Sequence, residues 1–247
     1  MSQGIHLIMP MGGKGSRFSE NGFSIPKPLI IIKDKPFFYW ATQSIKKFVK
    51  LNSLTFVVLK EHIDEFSIDK EIEKYFPEAK LEIIPEVLNG AVLTCMEGVK
   101  NIIDDKPIIF NDCDHLFYCT SFNEFCNKGE FLKIDGALLT FKSNDPKFSY
   151  LECDNNGNVI NTVEKKVVSN DAICGAYYFR NKHIFINSAK EYLDNCKYNE
   201  YFVSGVYNVM AQNGALINKF RVDSHLPFGT PDEYEAAVNS NEFEVLK

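Results

Sequence analysis

The chain has 247 residues, 45% of them apolar and 24% charged, with a formal net charge of −6. This suits one sizeable globular domain, or at most two small ones, and the acidic balance argues against nucleic-acid binding, which needs a basic stripe to displace counterions. No apolar run reaches the ~20 residues of a membrane span, and "MSQGIHLIMPMGG" lacks the basic start and long apolar stretch of a secretion signal, so a cytoplasmic chain with no membrane partner is expected.

"IHLIMP" at 5–10 reads as a buried strand ending in proline and glycine. "PFFYWATQSIKKFVK" at 36–50 has the apolar spacing of an amphipathic helix with Pro36 near its start. A buried strand follows at 54–60, an acidic helix-like face at 63–76, a strand at 80–86 and a helix at 90–102. "KPIIFNDCDHLF" at 106–117 reads as one strand running into a polar tip. Strands and helices thus alternate through the first half, which predicts a mainly parallel sheet covered by helices on both faces. The second half is richer in strands, at 135–142, 150–166 and 173–180, with "DNNGN" as a hairpin turn. Helices at about 182–195 and 200–213, a strand at about 215–222 and a last helix beginning at "TPDEYEAA" complete the pattern. There Thr230 suits the N-cap, Pro231 the first helical position and Glu233 a capping box. With no repeat, linker or low-complexity tract, the expectation is a single mixed α/β domain over 1–247. Seven cysteines without a CxxC pair are expected to be free, small and mostly buried.

Residues 10–29, "PMGGKGSRFSENGFSIPKPL", follow the first strand directly. A turn at the carboxyl end of a parallel strand is where open α/β sheets bind ligands. Glycine there brings the backbone close to a ligand, and successive N–H groups can converge into an anion cradle. Lys14, Arg17 and Lys27 add positive charge, so the stretch suits a polyphosphate. A Walker A loop is excluded because Lys14 is followed by Gly15, and the dinucleotide fingerprint fails because Phe18 stands at its third glycine. The plain alternative is a structural turn with incidental charges. Against it, Pro26 and Pro28 hold the chain extended around Lys27 and fix the direction of one cation.

Gly12, Gly13, Gly15 and Arg17, followed by Pro26-Lys27-Pro28-Leu29, resemble the two-part signature of the nucleotidylyltransferases that make nucleotide-activated sugars and related compounds. The resemblance implies a Rossmann-like α/β fold with a mixed, mainly parallel sheet flanked by helices, an NTP-binding half (1–117) and an acceptor-binding half (118–247). It also implies Mg²⁺ as cofactor, with an NTP and a phosphorylated sugar or alcohol as substrates. Met11, Gly12, Gly13, Lys14, Gly15 and Asp112 would contact the nucleotide. "NGAVLT" at 89–94 is similar to the segment touching the base, which brings in Gly90 and Thr94. "FNDCDHLF" at 110–117 is similar to the strand end that holds the metal, with Asp114 as ligand. "VEKK", "CGAYYF" and "NEYFVSGVYN" resemble acceptor-binding segments and assign Glu164, Lys165, Gly175, Tyr177 and Glu200 to the acceptor. "FGTPDEYEAA" resembles the closing helix start. One departure stands out. Many relatives carry a second metal-binding aspartate two residues before that glycine, where this chain has Pro227; Asp223 could replace it if the loop bends back.

The implied reaction is attack by an acceptor phosphate oxygen on the α-phosphorus of an NTP, with pyrophosphate leaving. A phosphate monoester is already anionic near neutrality, so no general-base histidine is needed. Positioning and charge stabilisation then dominate. Arg17 and the glycine loop would hold the β- and γ-phosphates, Lys27 the α-phosphate, and Lys165 the acceptor's phosphate. Plain readings stand beside these. Asp112 and Asp114 could be a solvated strand end, Lys165 a surface lysine, His115 a hydrogen-bonding residue and His6 a core residue. "FFYW" at 37–40 suits core or subunit contact, which leaves a homo-oligomer open. Asp112-Cys113-Asp114 is also the D-x-D of glycosyltransferases, but the glycine loop and Lys27 do not belong there. The acceptor stays open between a sugar 1-phosphate, with its product destined for surface polysaccharide, and phosphocholine or a similar phospho-alcohol used with CTP. The base stays open too.

Overall fold

The computed structural model describes residues 4–246. Strand β1 (Ile5–Met11) is buried along its whole length except at Pro10. This is the pattern of a central parallel strand covered on both faces. The glycine loop leads to the short helix α1 (Ser16–Ser19), a 3-10 turn at Lys27–Leu29 and a minimal antiparallel pair, β2 (Ile31–Ile32) and β3 (Lys35–Pro36). Helix α2 (Phe37–Lys46) begins at Pro36 and buries Phe37, Phe38, Trp40, Ala41 and Ile45. Strand β4 (Leu51–Leu59) is followed by α3 (Lys60–Phe66) and α4 (Ile68–Tyr75), and then by β5 (Lys80–Ile84). Helix α5 (Ala91–Val99) crosses back to β6 (Ile108–Asn111), which is followed by β7 (His115–Tyr118) and α6 (Thr120–Lys128). The second half contributes β8 (Gly136–Lys142), β9 (Tyr150–Cys153), β10 (Val159–Val163), β11 (Asp171–Phe179), α7 (Lys182–Asn195), α8 (Val203–Gln212), β12 (Ile217–Arg221), β13 (Ser224–Pro227) and α9 (Pro231–Val238).

The nine-stranded sheet has the order β10-β9-β11-β6-β1-β4-β5, with β8 on β11 and β12 on β8. Strands β6, β1, β4 and β5 are parallel, while β11 runs antiparallel to β6. The chain leaves β1 towards β4 on one side and returns through α5 to β6 on the other. The strand order therefore reverses between β1 and β6, where an open sheet forms a crevice at its carboxyl edge. One apolar layer packs α2, α4 and α6 on one face of the sheet, and a second packs α5, α7 and α8 on the other. A third cluster joins Phe18, Ile30, Phe37, Trp40 and Phe228 and anchors the segment after the glycine loop. His6 is buried, with one ring nitrogen 2.7 Å from Ser53 Oγ and the other 2.8 Å from Asp104 Oδ1, so it ties β1 to its surroundings.

The structure departs from the sequence reading in four places. The acidic 63–76 segment is two helices, because Ser67 adopts a left-handed φ of 52° between them. Residues 106–117 are not one strand. Strand β6 ends at Asn111, which is buried and whose amide donates to the Ala41 carbonyl at 2.9 Å. The Asp112 N–H still donates to the Gly175 carbonyl of β11 at 2.9 Å; the chain then bends at Cys113 and Asp114, and β7 pairs with the unforeseen β13 instead. Helix α6 was also not foreseen. At α9, Thr230 Oγ1 accepts from the Glu233 N–H at 3.3 Å as expected, but the Glu233 carboxylate accepts from the Gly229 N–H at 3.0 Å, one residue earlier than a capping box requires. All seven cysteines are free, five of them buried.

Candidate active site

At the end of β1 the backbone lies flush against its neighbours. A Cβ on Gly12 would stand 2.6 Å from Ile84 Cδ1 and 3.1 Å from Thr94 Cγ2, so only glycine lets the loop sit this low on α5. Gly15 has a left-handed φ of 65°, and a Cβ there would meet the Lys27 Cβ at 2.8 Å. The loop and the proline-framed lysine are thereby pressed together. Between them opens a cavity of about 250 Å³, lined by Met11, Gly12, Gly13, Gly15, Lys27, Val87, Leu88, Gly90, Thr94, Cys113 and Glu200, among others.

Lys27 Nζ donates to Asp114 Oδ2 at 2.8 Å. Burial works against the Lys27 charge, but the Asp114 carboxylate outweighs it and holds the lysine pKa above its ordinary value. Burial likewise opposes ionisation of Asp114, and Lys27 reverses that, leaving its pKa lowered. Asp112 has no such partner. Burial and the neighbouring Asp114 charge push it up to about 7, against the pull of Lys27. Two glycines make room for these carboxylates. A Cβ on Gly175, where φ is 91°, would lie 2.6 Å from Asp112 Oδ2, and one on Gly229 would lie 2.3 Å from Asp114 Oδ2.

Beyond this pair lies a second cavity, also about 250 Å³, which shares Ala91 with the first. Asp112, Asp114, Glu164, Gly175 and Tyr177 line it, together with Arg17, Lys147, Ser149, Ser204 and Glu233. Glu164 Oε2 accepts from the hydroxyls of Ser149 and Ser204, the latter at 3.0 Å. Lys147 Nζ stands 3.0 Å from Glu233 Oε1. His115 and His225 form one wall, with His115 Nδ1 3.3 Å from His225 Nε2 and His115 Nε2 3.1 Å from Asn111 Oδ1. Burial pushes the His115 pKa down to about 4 and that of His225 well below its usual value, so both rings are neutral near pH 7.

One cavity is thus floored by a glycine loop and a held cation, and a second is rich in hydroxyl-binding groups. They meet at a lysine–aspartate pair on the crevice of an α/β sheet. Residues 6–242 match the nucleotidyl transferase family. The chain belongs to that family. It is 25% identical over 236 residues to the D-glycero-α-D-manno-heptose 1-phosphate guanylyltransferase of Campylobacter jejuni, covering 93% of this chain and 97% of that one. The fold is similar to that of a nucleoside-diphosphate-sugar pyrophosphorylase from Vibrio cholerae, with a TM-score of 0.82 at 20% identity over 95% of this chain and 100% of that one. It is also similar to the inositol-1-phosphate CTP transferase from T. maritima, with a TM-score of 0.73 at 13% identity over 100% of this chain and 96% of that one.

Within this nucleotidyl transferase several sequence-derived assignments change place. Asp223 does not approach Asp114. It immediately precedes β13, at the end that pairs with Tyr118 of β7, while Asp114 lies at the Pro227 end. Its carboxylate accepts from the Thr120 N–H at 2.7 Å, so the loop does not bend back and Asp223 is not a partner for a metal held at Asp114. Glu200 lines the glycine-loop cavity rather than the second cavity, because the Tyr201 backbone lies against Gly90. Arg17 and Asp112 line the second cavity rather than the glycine-loop cavity. Lys14 is exposed and lines neither cavity. Lys165 is exposed, with its ammonium 5.2 Å from the centre of the Phe202 ring at the cavity rim. Gly12, Gly13, Gly15, Lys27, Met11, Gly90 and Thr94 do gather around one cavity, as do Asp114, Glu164, Gly175 and Tyr177 around the other. Sequence reasoning missed Lys147, Ser149, Ser204, His225 and Glu233, which carry no local signature. They converge only through the β8–β9 connection, the start of α8 and the β13–α9 junction.

Magnesium is tested by the donor set. Asp112 and Asp114 are adjacent carboxylates whose mutual repulsion helps to raise the Asp112 pKa, and a divalent cation relieves that kind of repulsion. Among the described residues no group of three or more His, Cys, Asp or Glu could cage a metal. Two carboxylates still fit Mg²⁺, which takes most of its ligands from substrate phosphates and water.

Proposed function

We propose that this chain joins a nucleoside triphosphate to a sugar 1-phosphate, giving a nucleotide-activated sugar and pyrophosphate. The observation that carries this reading is the Lys27–Asp114 pair standing where the two cavities meet, since both substrates must bring phosphate to that point. The glycine-loop cavity would hold the triphosphate. The second cavity would hold the sugar, with Glu164 and the Ser149 and Ser204 hydroxyls reading sugar hydroxyls. Likeness to the heptose 1-phosphate guanylyltransferase makes a heptose 1-phosphate the first acceptor to test, and a product destined for surface polysaccharide is part of the same proposal.

In the step itself, an acceptor phosphate oxygen forms a bond to the α-phosphorus, the bond to the bridging oxygen breaks, and pyrophosphate departs with those electrons. Lys27 would meet the α-phosphate, where charge shifts in the transition state, and Arg17, lining the acceptor cavity, would steady the incoming phosphate. Asp114, assisted by Asp112, would hold Mg²⁺, which neutralises phosphate charge when bound. A phosphate dianion is already deprotonated near neutrality and needs no general base, and the two histidines on the cavity wall, their pKa values lowered by burial, would be weak ones. The test is pyrophosphate release by the full chain, with four NTPs against sugar 1-phosphates and phospho-amino-alcohols, with and without Mg²⁺. Release with a sugar 1-phosphate is expected; release only with phosphocholine-type acceptors, or with none, refutes the reading.

A further inference from the structure

We infer that Glu200 reads the nucleobase and selects guanine. This rests on the nucleotidyl-transfer reading and goes further by naming the base and the residue that discriminates it. Glu200 is the one acidic residue lining the glycine-loop cavity. It is exposed, and among the described residues no hydrogen bond or ion pair engages its carboxylate. The only ammonium lining that cavity, Lys27, is committed to Asp114.

The position of Glu200 is set by backbone. The Val92 N–H donates to the Tyr201 carbonyl at 3.1 Å, and a Cβ on Gly90, where φ is 102°, would lie 2.4 Å from the Tyr201 nitrogen. Gly90 thus lets residues 200 and 201 press against the start of α5, beside the apolar wall of Val87 and Leu88. A free carboxylate in a cavity that takes a triphosphate repels the phosphates wherever it is close to them. It becomes favourable only at the other end, facing donors. Guanine supplies two adjacent donors on one edge, N1–H and N2–H₂, which match the two oxygens of a carboxylate. Uracil and thymine present one N–H between two carbonyl oxygens, which a carboxylate repels. Adenine and cytosine offer a single amino donor beside a ring acceptor. The discrimination is therefore steepest against UTP and dTTP, through repulsion as well as lost bonds.

Titration calorimetry of the full chain with GTP, UTP, CTP and ATP, without acceptor, tests the inference independently of turnover; kcat/KM by pyrophosphate release is measured alongside. GTP is expected to bind about 10²-fold more tightly than UTP, as two charge-assisted hydrogen bonds would give. Glu200→Ala should remove most of that advantage by weakening GTP while changing UTP less than about threefold. Glu200→Gln should bring GTP and UTP close to parity, because an amide can accept from N1–H or N3–H and donate to the neighbouring carbonyl of either base. Both variants should fold, since the side chain has no protein partner to lose. Equal weakening of all four nucleotides in Glu200→Ala would move the carboxylate to the ribose and overturn the inference, as would wild-type preference for another base. Glu200-dependent GTP binding with no pyrophosphate release from any pair would support the base assignment while removing the transfer reading.

Discussion

Asp112→Asn should become progressively more stable than wild type as pH rises from about 4 to about 7, with the full gain above that window. In the fold, burial and the Asp114 charge raise the Asp112 pKa from its ordinary 3.8 to about 7. The native state then keeps a proton that the unfolded chain has already released. Unfolding free energy therefore falls as pH rises from about 4 to about 7, and the penalty is complete above that window. A shift of this size corresponds to about 4 kcal/mol of disfavoured ionisation. Asp112 is only partly buried, and solvent screening trims the measurable part to about 1–3 kcal/mol. Asparagine keeps the shape and cannot ionise. Urea unfolding of wild type and variant at pH 5, 6, 7 and 8, without nucleotide or divalent ions, measures the effect. His115 is common to both proteins and cancels in the difference. A difference that stays constant from pH 5 to pH 8 would refute the reasoning, and one favouring wild type at pH 8 would reverse it.

His115 should impose an opposite slope. Its folded pKa is pushed down to about 4, so the unfolded chain gains a proton first as pH falls below 6.5, and stability drops between pH 6.5 and 4; His115→Asn should flatten that limb in the same titration. Lys27→Ala and Asp114→Ala should each lower kcat/KM by about 10²–10³ while far-UV circular dichroism stays native; near-wild-type pyrophosphate release in either removes the proposed role. Gly229→Ala places a Cβ 2.3 Å from Asp114 Oδ2, so the carboxylate must move, and kcat should fall about tenfold or more with little change in urea midpoint. Gly90→Ala meets both a left-handed φ and the Tyr201 backbone, and should cost about 2–4 kcal/mol in urea unfolding.

Much of the fold was legible because the first half repeats one physical pattern, a buried apolar strand followed by an amphipathic helix. The glycine loop was legible for a similar reason, since three close glycines and a lysine between prolines constrain the backbone wherever they occur. What failed depended on single side chains acting at a distance. Nothing local marks Asn111, whose amide reaches the Ala41 carbonyl of α2, as the last residue of β6. The cavity that Glu200 lines is not legible locally, because its place is set by the Tyr201 backbone against Gly90, 111 positions before Tyr201 in the chain. Asp223 was misplaced because the β7–β13 pairing, which holds it at the Tyr118 end, involves two four-residue strands too short to declare themselves.

The contact between Gly90 and Tyr201 also bears on the sequence in which substrates arrive. The same short strap carries Glu200 into one chamber and, three residues after Tyr201, presents Ser204 to Glu164 in the other. Were a bound nucleotide to shift the strap, Ser204 and its bond to Glu164 would move with it, before the second reactant enters. Compulsory-order kinetics, nucleotide leading, would be the signature of that linkage, and random addition would mean the strap is already rigid when empty.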